Sequence, residues 1–168
     1  EKMEVSSNPH IRSDVNTGHI MLSVIIALMP ATLFGIWNFG LHAFLVIAIT
    51  VAAAVLSEHI FCNICKKPTT VGDYSAVVTG LLLALNLPPN FPLWMAAIGA
   101  VFAIVVVKML FGGLGQNFMN PALGARCFLM LSFARYMTDF TCDAYTGATP
   151  LATMKAGESV NILDMVVG

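Results

Sequence analysis

The sequence predicts an all-α, polytopic transmembrane fold with broken or re-entrant segments. Of its 168 residues, 58% are hydrophobic and only 10% are charged, whereas soluble domains average about 45–50% apolar and about 25% charged residues. The mean hydropathy is +0.83, and several apolar runs approach the roughly 20 residues that a helix needs to cross a bilayer. Because lipid cannot satisfy exposed backbone N–H and C=O groups, such runs form helices. Together these observations indicate an integral membrane protein.

Three apolar segments are long enough to cross a bilayer as helices. Residues 20–37 form the first, in which Pro30 removes one backbone hydrogen bond and should kink the helix. Residues 41–61 form the second, which is rich in Ala and Val. Residues 91–107 form another, which can extend beyond Lys108 through the apolar letters MLF. Each of these is expected to be a membrane span.

Two further apolar segments are short or interrupted. Residues 76–87 number only 12 and end at the letters PPNFP, which predicts a broken or re-entrant helix. Before the second of these segments, residues 112–126, GGLGQNFMNPALGAR, form a break rich in Gly and Asn. We expect it to line a cavity, because non-helical backbone at membrane depth is tolerated only where protein or water covers it. Residues 127–136 form the fifth segment, which can start as early as Pro121.

The cations between these segments predict the orientation of the chain. Cytoplasmic loops of membrane proteins carry an excess of Lys and Arg. If the N-terminus is cytoplasmic and all five segments cross, the cations divide as follows: Lys2, Arg12, Lys66, Lys67, Lys108 and Arg126 inside, Arg135 and Lys155 outside. This distribution favours a cytoplasmic segment 1–19, transmembrane helices within 20–137 and an outer-face loop 138–168. If residues 76–87 enter and leave on one side, the loop lies inside instead. We expect further transmembrane helices beyond this loop.

The charges and cysteines exclude some classes of function. With 8 Lys and Arg against 9 Asp and Glu, the net charge is -1, so the chain offers no basic field for nucleic acid. Cys62 and Cys65 form a CNIC motif, but the chain supplies no second pair and only scattered histidines. Metal sites usually need such additional ligands. We therefore expect no nucleic-acid partner and no metal site, and we interpret the two cysteines as small residues at a helix end.

Glu58 has two possible interpretations. Lying beside His59 near the end of an apolar segment, it can belong to an ion path, because ionisable groups inside a membrane are costly and often functional. It also lies close in sequence to Lys66 and Lys67. We favour the second interpretation, an interfacial acid that pairs with these lysines.

The run DAYTGATPLAT, residues 143–153, is unusual for its small and hydroxyl-bearing side chains. Thr149 precedes Pro150 and is therefore biased towards extended backbone, which keeps its hydroxyl from bonding back to a helix carbonyl. Gly147 and Ala148 leave room for a large group to approach, and Asp143 supplies a carboxylate. Such a site can accept a covalent adduct. Alternatively, the run is an ordinary turn in which Thr149 caps a short helix that starts at Pro150.

The same residues resemble a flavinylation motif, in which an Asp, two variable residues, a Ser or Thr, a small residue and then Ala-Thr precede attachment of FMN to the final Thr. Three more stretches resemble the family of RnfD and NqrB: NPHIRSDVNTGHIMLSVIIALMPA, DYSAVVTGLLLALNLPPNFPLW and FGGLGQNFMNPALGAR. The resemblance extends from about residue 7 to residue 168. Because the first motif begins almost at the N-terminus, the RnfD branch is favoured.

The resemblance implies a flavin site. FMN would be attached through a phosphoester to Thr149, and a separate flavin transferase would recognise Asp143, Thr146, Gly147 and Ala148. Asn117 and Asn120 resemble cavity-lining residues that can hydrogen-bond a ring system, although Asn120 before Pro121 is equally a good helix start. The family also raises the possibility of a second, noncovalent flavin such as riboflavin. We expect no catalytic substrate site on this chain.

The resemblance also implies a function. RnfD and NqrB belong to ion-translocating electron-transfer complexes in the prokaryotic cytoplasmic membrane. We therefore expect a membrane redox subunit of a ferredoxin:NAD+ oxidoreductase whose FMN relays electrons coupled to Na+ or H+ movement. Its expected partners are the other subunits of the complex, including a second flavoprotein subunit and iron–sulfur subunits. A small-solute channel or transporter is the alternative, since short broken helices around a cavity also serve that purpose.

Overall fold

The described part of the chain is helical. The computed structural model describes residues 16–66 and 71–139, and no strand occurs among them. Its elements are α1 (Thr17–Ile64), a 3₁₀ turn (Val71–Asp73), α2 (Ser75–Ala84), α3 (Leu93–Val101), a π-helix (Phe102–Met109), α4 (Pro121–Ser132) and α5 (Ala134–Met137). The predicted all-α class is confirmed for these residues.

Helix α1 is divided in two by a glycine. With 48 residues it is long and apolar enough to cross a membrane, but at 1.5 Å per residue a straight helix of this length would measure about 72 Å. Gly40 interrupts it with φ 76° and ψ −161°, a conformation that only glycine adopts without strain. The two arms, residues 17–39 and 41–64, correspond to the two predicted spans. Pro30 lies within the first arm, and the non-helical residue is Gly40 instead.

The two arms of α1 run in opposite directions. A Cβ on Gly18 would lie 3.7 Å from the carbonyl oxygen of Gly72, whereas Gly35 and Pro88 line one small cavity of about 90 Å³. On the second arm, Nδ1 of His42 lies 2.8 Å from the carbonyl oxygen of Pro89. The first arm therefore runs from the level of Gly72 to that of Pro88–Pro89, and the second arm starts back from there.

The bundle thus has two ends. We call the end near Gly72 the Ser75 end and the end near Pro88 and Pro89 the Pro89 end. The second arm returns to the Ser75 end, where Glu58 and Ser75 both contact the side chain of Lys108. Helix α2 starts at this end and leads towards Pro89. The continuous helix Leu93–Met109 then brings the chain back to Lys108. Residues 76–87 thus form a short, broken segment, as predicted, that enters at one end and leaves at the other.

Helix α4 runs antiparallel to the helix Leu93–Met109, as four successive contacts demonstrate. They are Gly124 with Val107, Phe128 stacked on Phe102 at 4.2 Å, Leu129 with Gly99, and Phe133 edge-to-face with Trp94 at 5.7 Å. The helix begins at Pro121, the earlier of the two predicted starts, and a break at Phe133 separates it from α5. Within residues 16–66 and 71–139, five segments therefore alternate in direction, and the chain leaves α5 at the Pro89 end.

Glycines let the helices approach closely at the centre of the bundle. A Cβ on Gly80 would lie 2.9 Å from the Cα of Val51, which is shorter than real Cβ contacts. A Cβ on Gly99 would lie 2.6 Å from Cδ1 of Leu129. Small residues at helix contacts are typical of membrane bundles, in which packing rather than apolar burial holds helices together.

Candidate functional site

A buried ion pair joins the second arm of α1 to the π-helix. The ammonium nitrogen of Lys108 lies 2.9 Å from Oε1 and 2.9 Å from Oε2 of Glu58, and it donates a further hydrogen bond of 2.7 Å to Oγ of Ser75. The side chains of Lys108 and Glu58 are 2% and 0% exposed. Three acceptors thus match the three protons of the ammonium group. This arrangement is hereafter called the charge cluster.

Two uncommon backbone conformations surround the charge cluster. Lys108 lies in the π-helix Phe102–Met109, and a hydrogen bond from the N–H of Leu110 to the carbonyl of Val105 continues the wide turn. A π-helix is rare and changes the direction in which later side chains point, often at functional sites. Tyr74, directly before Ser75, has φ 56°, a left-handed conformation that costs energy in a non-glycine residue.

The sequence-based interpretation of Glu58 as an interfacial acid was wrong. Glu58 belongs to the packed face of α1, since Val46, Thr50, Ala54 and Cys62 are also buried at helical spacing. Its carboxylate binds Lys108, whereas Lys66 is exposed beyond the helix end. Lys67 lies outside the described residues. The acid is instead held within the bundle, where a charge is tolerated only with a partner.

The predicted set of loop cations also needs correction. Lys108 lies inside a helix and is buried, and Arg126 lies within α4. Arg135, on the predicted outer side, likewise lies within a helix, α5. Four other cations of the set, Lys2, Arg12, Lys67 and Lys155, lie outside the described residues. The orientation of the chain stays a prediction.

Sequence reasoning missed the partner of Glu58. The sequence feature that indicated a partner was Lys108 itself, a single lysine at the end of a long apolar run. Such a lysine needs an acceptor when its segment is buried, and Glu58 is the acid in the preceding apolar segments. The pairing of these two residues was therefore accessible as a hypothesis.

A second polar contact links α4 to the end of α2. Nη1 of Arg126 donates a 2.7 Å hydrogen bond to Oδ1 of Asn86, whose Nδ2 donates to the carbonyl of Leu82 at 2.7 Å. Both Arg126 and Asn86 are half-buried. The contact anchors the irregular chain after α2 to the α4 helix.

The two predicted cavity-lining asparagines make local hydrogen bonds. Oδ1 of Asn120 accepts from the N–H groups of Ala122 and Leu123 at 3.0 and 3.5 Å, so Asn120 caps α4. Nδ2 of Asn117 donates to the carbonyl of Met119 at 2.7 Å. The helix-start interpretation of Asn120 is confirmed. A flavin contact for Asn117 and Asn120 stays a prediction.

The predicted attachment residues lie outside the described residues. They are Asp143, Thr146, Gly147, Ala148 and Thr149. The chain leaves α5 at the Pro89 end, whereas Asn117 and Asn120 lie at the Ser75 end. Between them runs α4, whose 12 residues measure about 18 Å along the axis. Thr149 lies ten positions after Asp139, a separation that an extended chain covers in at most about 33 Å.

The thiols of the CNIC motif differ in their environments. Cys62 is buried in the core, and Cys65 is exposed at the end of α1. Within residues 16–66 and 71–139, no group of three or more His, Cys, Asp and Glu side chains is arranged to hold a metal ion.

Comparison with known proteins assigns the chain to a family. The profile of the NQR2, RnfD, RnfE family matches residues 4–168, nearly the whole sequence. The chain belongs to this family. The resemblance inferred from the motifs is thereby confirmed.

Proteins that are similar to this chain include components of ion-translocating complexes. It is 50% identical, over 99% of its length, to a subunit of the Na+-translocating ferredoxin:NAD+ oxidoreductase complex of Acetobacterium woodii, covering 54% of that protein. It is 46% identical, over 90% of its length, to a subunit of the proton-translocating ferredoxin:NAD+ oxidoreductase complex of Clostridium ljungdahlii, covering 47%. A subunit of an ion-translocating oxidoreductase complex of Shewanella amazonensis is 38% identical over 97% of this chain, which covers 45% of it. The chain therefore spans about half the length of these relatives.

Proposed function

We propose that this chain is part of a membrane subunit of an ion-translocating electron-transfer complex of the ferredoxin:NAD+ oxidoreductase type. The observation that carries the proposal is its similarity, over 99% of its length, to a subunit of such a complex. Its partners are then the other subunits, including a second flavoprotein and iron–sulfur subunits. Relatives named for Na+ and for proton translocation are both similar to it, so either cation fits the proposal.

The described fold supports a multi-pass location in a membrane. Each arm of α1 covers about 35 Å along its axis, and the helix Leu93–Met109 covers about 25 Å. A bilayer core is roughly 30 Å thick. Large apolar side chains point outwards, among them Trp37 at 89% and Leu131 at 87% exposure. Lipid can cover such a surface. The distribution of cations favours a cytoplasmic Ser75 end, so the chain would leave α5 towards the outer face.

FMN on Thr149 is the second element of the proposal. A threonine hydroxyl can form the phosphoester, and Asp143, Thr146, Gly147 and Ala148 supply the motif for a flavin transferase. Bound FMN supplies one- and two-electron transfer, which the protein tunes by positioning and by nearby charge. The motif begins four residues after Asp139, the last described residue. A flavin tethered there would start from the outer face.

Paired threonine variants test the attachment. Thr149→Ala should abolish ultraviolet fluorescence of the denatured chain in a gel, whereas Thr146→Ala keeps the acceptor hydroxyl and should retain at least part of it. Both variants are expressed with an active flavin transferase and loaded at equal amounts. Fluorescence that persists in Thr149→Ala would contradict the assignment. A wild-type chain without any flavin would favour the transporter alternative.

A further inference from the structure

We propose that Lys108 is a tethered cation that occupies the carboxylate of Glu58 at rest and gives it up to the translocated cation. The inference rests on the proposed ion-translocating function and deepens it. The observation that supports the inference is the charge cluster, in which one ammonium group binds both oxygens of a fully buried carboxylate. Ser75 is a positioning residue, because its Oγ accepts the third ammonium proton.

A purely structural role explains the charge cluster poorly. Burying two charges costs much of what their attraction returns, and well-packed apolar residues at such positions are often as stabilising. The cluster also coincides with a π-helix and with the left-handed backbone of Tyr74, both of which are costly. Strained or rare conformations persist mainly where function requires them.

Electrostatic repulsion prevents Lys108 and the translocated cation from binding the carboxylate of Glu58 at the same time. Among the described residues, the cluster joins one carboxylate to one ammonium group, and an added cation beside Lys108 would meet strong repulsion in an environment of low dielectric constant. Binding of the translocated cation therefore requires that Lys108 withdraw. Its long, flexible side chain lies near the Ser75 end of the bundle, so the ammonium group can move towards that surface.

Ser75 provides a test that leaves both charges in place. Ser75→Ala removes one of the three hydrogen bonds that hold Lys108, and a hydrogen bond to a charged group corresponds to about a tenfold change in equilibrium. Released more often, Glu58 becomes available for protonation and hence for modification by dicyclohexylcarbodiimide, a reagent for protonated carboxyl groups in membranes. Thr79→Ala is the matched control, since it removes a buried hydroxyl that bonds the carbonyl of Ser75 one turn further along α2.

The experiment uses the complete complex in native membranes, with labelling of Glu58 quantified by peptide mass spectrometry. We expect about tenfold faster labelling in Ser75→Ala than in Thr79→Ala or the unmodified complex. Added Na+ at constant pH should suppress the labelling if Na+ is the translocated ion and leave it unchanged if the proton is. A Ser75→Ala rate equal to that of Thr79→Ala would overturn the proposal.

A second variant tests whether the carboxylate lies on the ion path. Glu58→Gln combined with Lys108→Met removes both charges, so no unpaired charge remains buried. We expect electron transfer without cation uptake in membrane vesicles. Normal uptake per electron would also overturn the proposal, and the labelling result decides alone if this variant does not assemble. An unmodified complex that moves no cation would instead refute the proposed function.

Discussion

The ammonium group of Lys108 lies 2.9 Å from both carboxylate oxygens of Glu58, although 50 positions separate the two residues in the sequence. The contact joins the second arm of α1 to the π-helix in the interior of the bundle. It fixes the relative depth of these two segments, because a shift of one helical turn, about 5.4 Å, would break both hydrogen bonds. The same contact supplies a buried, ionisable site in a member of the NQR2, RnfD, RnfE family.

Removing only one charge of this pair should be more harmful than removing both. Lys108→Met leaves the carboxylate of Glu58 buried without its ammonium partner, which costs about 3–5 kcal/mol of stability. In the combined variant with Glu58→Gln, most of that loss should be recovered. Thermal inactivation of the purified complex in detergent measures both variants. Equal losses in the single and combined variants would contradict a direct energetic coupling of the pair.

Close packing at Gly80 should make this position intolerant of even one methyl group. A Cβ there would lie 2.9 Å from the Cα of Val51, so Gly80→Ala must separate two helices, at a cost of about 1–3 kcal/mol. Gly35→Ala is the control, since nothing lies within 4 Å of a Cβ at that position. Thermal stability of the detergent-solubilised chain is the measurement. Similar stabilities of both variants would indicate that α1 and α2 are not this close.

Gly40 should be required for the reversal between the two arms of α1. Its φ of 76° and ψ of −161° are strained for any residue with a side chain, so Gly40→Ala should destabilise the chain by about 1–3 kcal/mol. The expected defect is a smaller yield of folded protein in the membrane. Gly35→Ala, within the regular part of the first arm, should have a normal yield. An unaffected Gly40→Ala variant would contradict the break at this residue.

Opposite ends of the bundle should be accessible from opposite sides of the membrane. Cys65 lies exposed at the Ser75 end, and a cysteine introduced by Asn38→Cys would lie beside Gly40 at the Pro89 end. All other cysteines are replaced by serine, so that Cys65 and the cysteine at position 38 are tested. An impermeant maleimide added to intact cells should then label position 38 and leave Cys65 unlabelled. Labelling of Cys65 in inverted vesicles completes the test. The reverse pattern would invert the proposed orientation, and labelling from one side alone would contradict a membrane crossing.

The cap at Asn120 should contribute to stability through its side-chain oxygen. Asn120→Ala removes the acceptor for two backbone N–H groups of α4 and should cost about 1 kcal/mol, whereas Asn120→Asp keeps an acceptor and most of the stability. Thermal unfolding compares the two variants. A flavin absorption spectrum that changes in Asn120→Asp, with stability retained, would add the predicted flavin contact to the capping role.

The sequence predicted the helical class and the places where helices break. Apolar length identified the two arms of α1, and the interruption near residues 38–40 proved to be the reversal at Gly40. The letters PPNFP correctly predicted the end of the short third segment, and Asn120 before Pro121 correctly predicted a helix start. These features are local, because chain flexibility, proline geometry and capping are properties of neighbouring residues.

Features that depend on packing between distant segments were not predictable in the same way. The depth of Glu58 depends on where the second arm meets α2 and the π-helix, and nearness in sequence pointed wrongly to Lys66. The π-helix has no simple signature in the run FAIVVVKM.

Covalent attachment of FMN to Thr149 is tested most directly by the mass of the peptide that follows Arg135, isolated from the native membrane. Trypsin should release residues 136–155, which include the whole attachment motif. We predict a mass increased by FMN less one water, with fragmentation assigning the adduct to Thr149. An unmodified peptide from cells with an active flavin transferase, or an adduct on another residue, would contradict the assignment of this chain as a carrier of covalent FMN on Thr149.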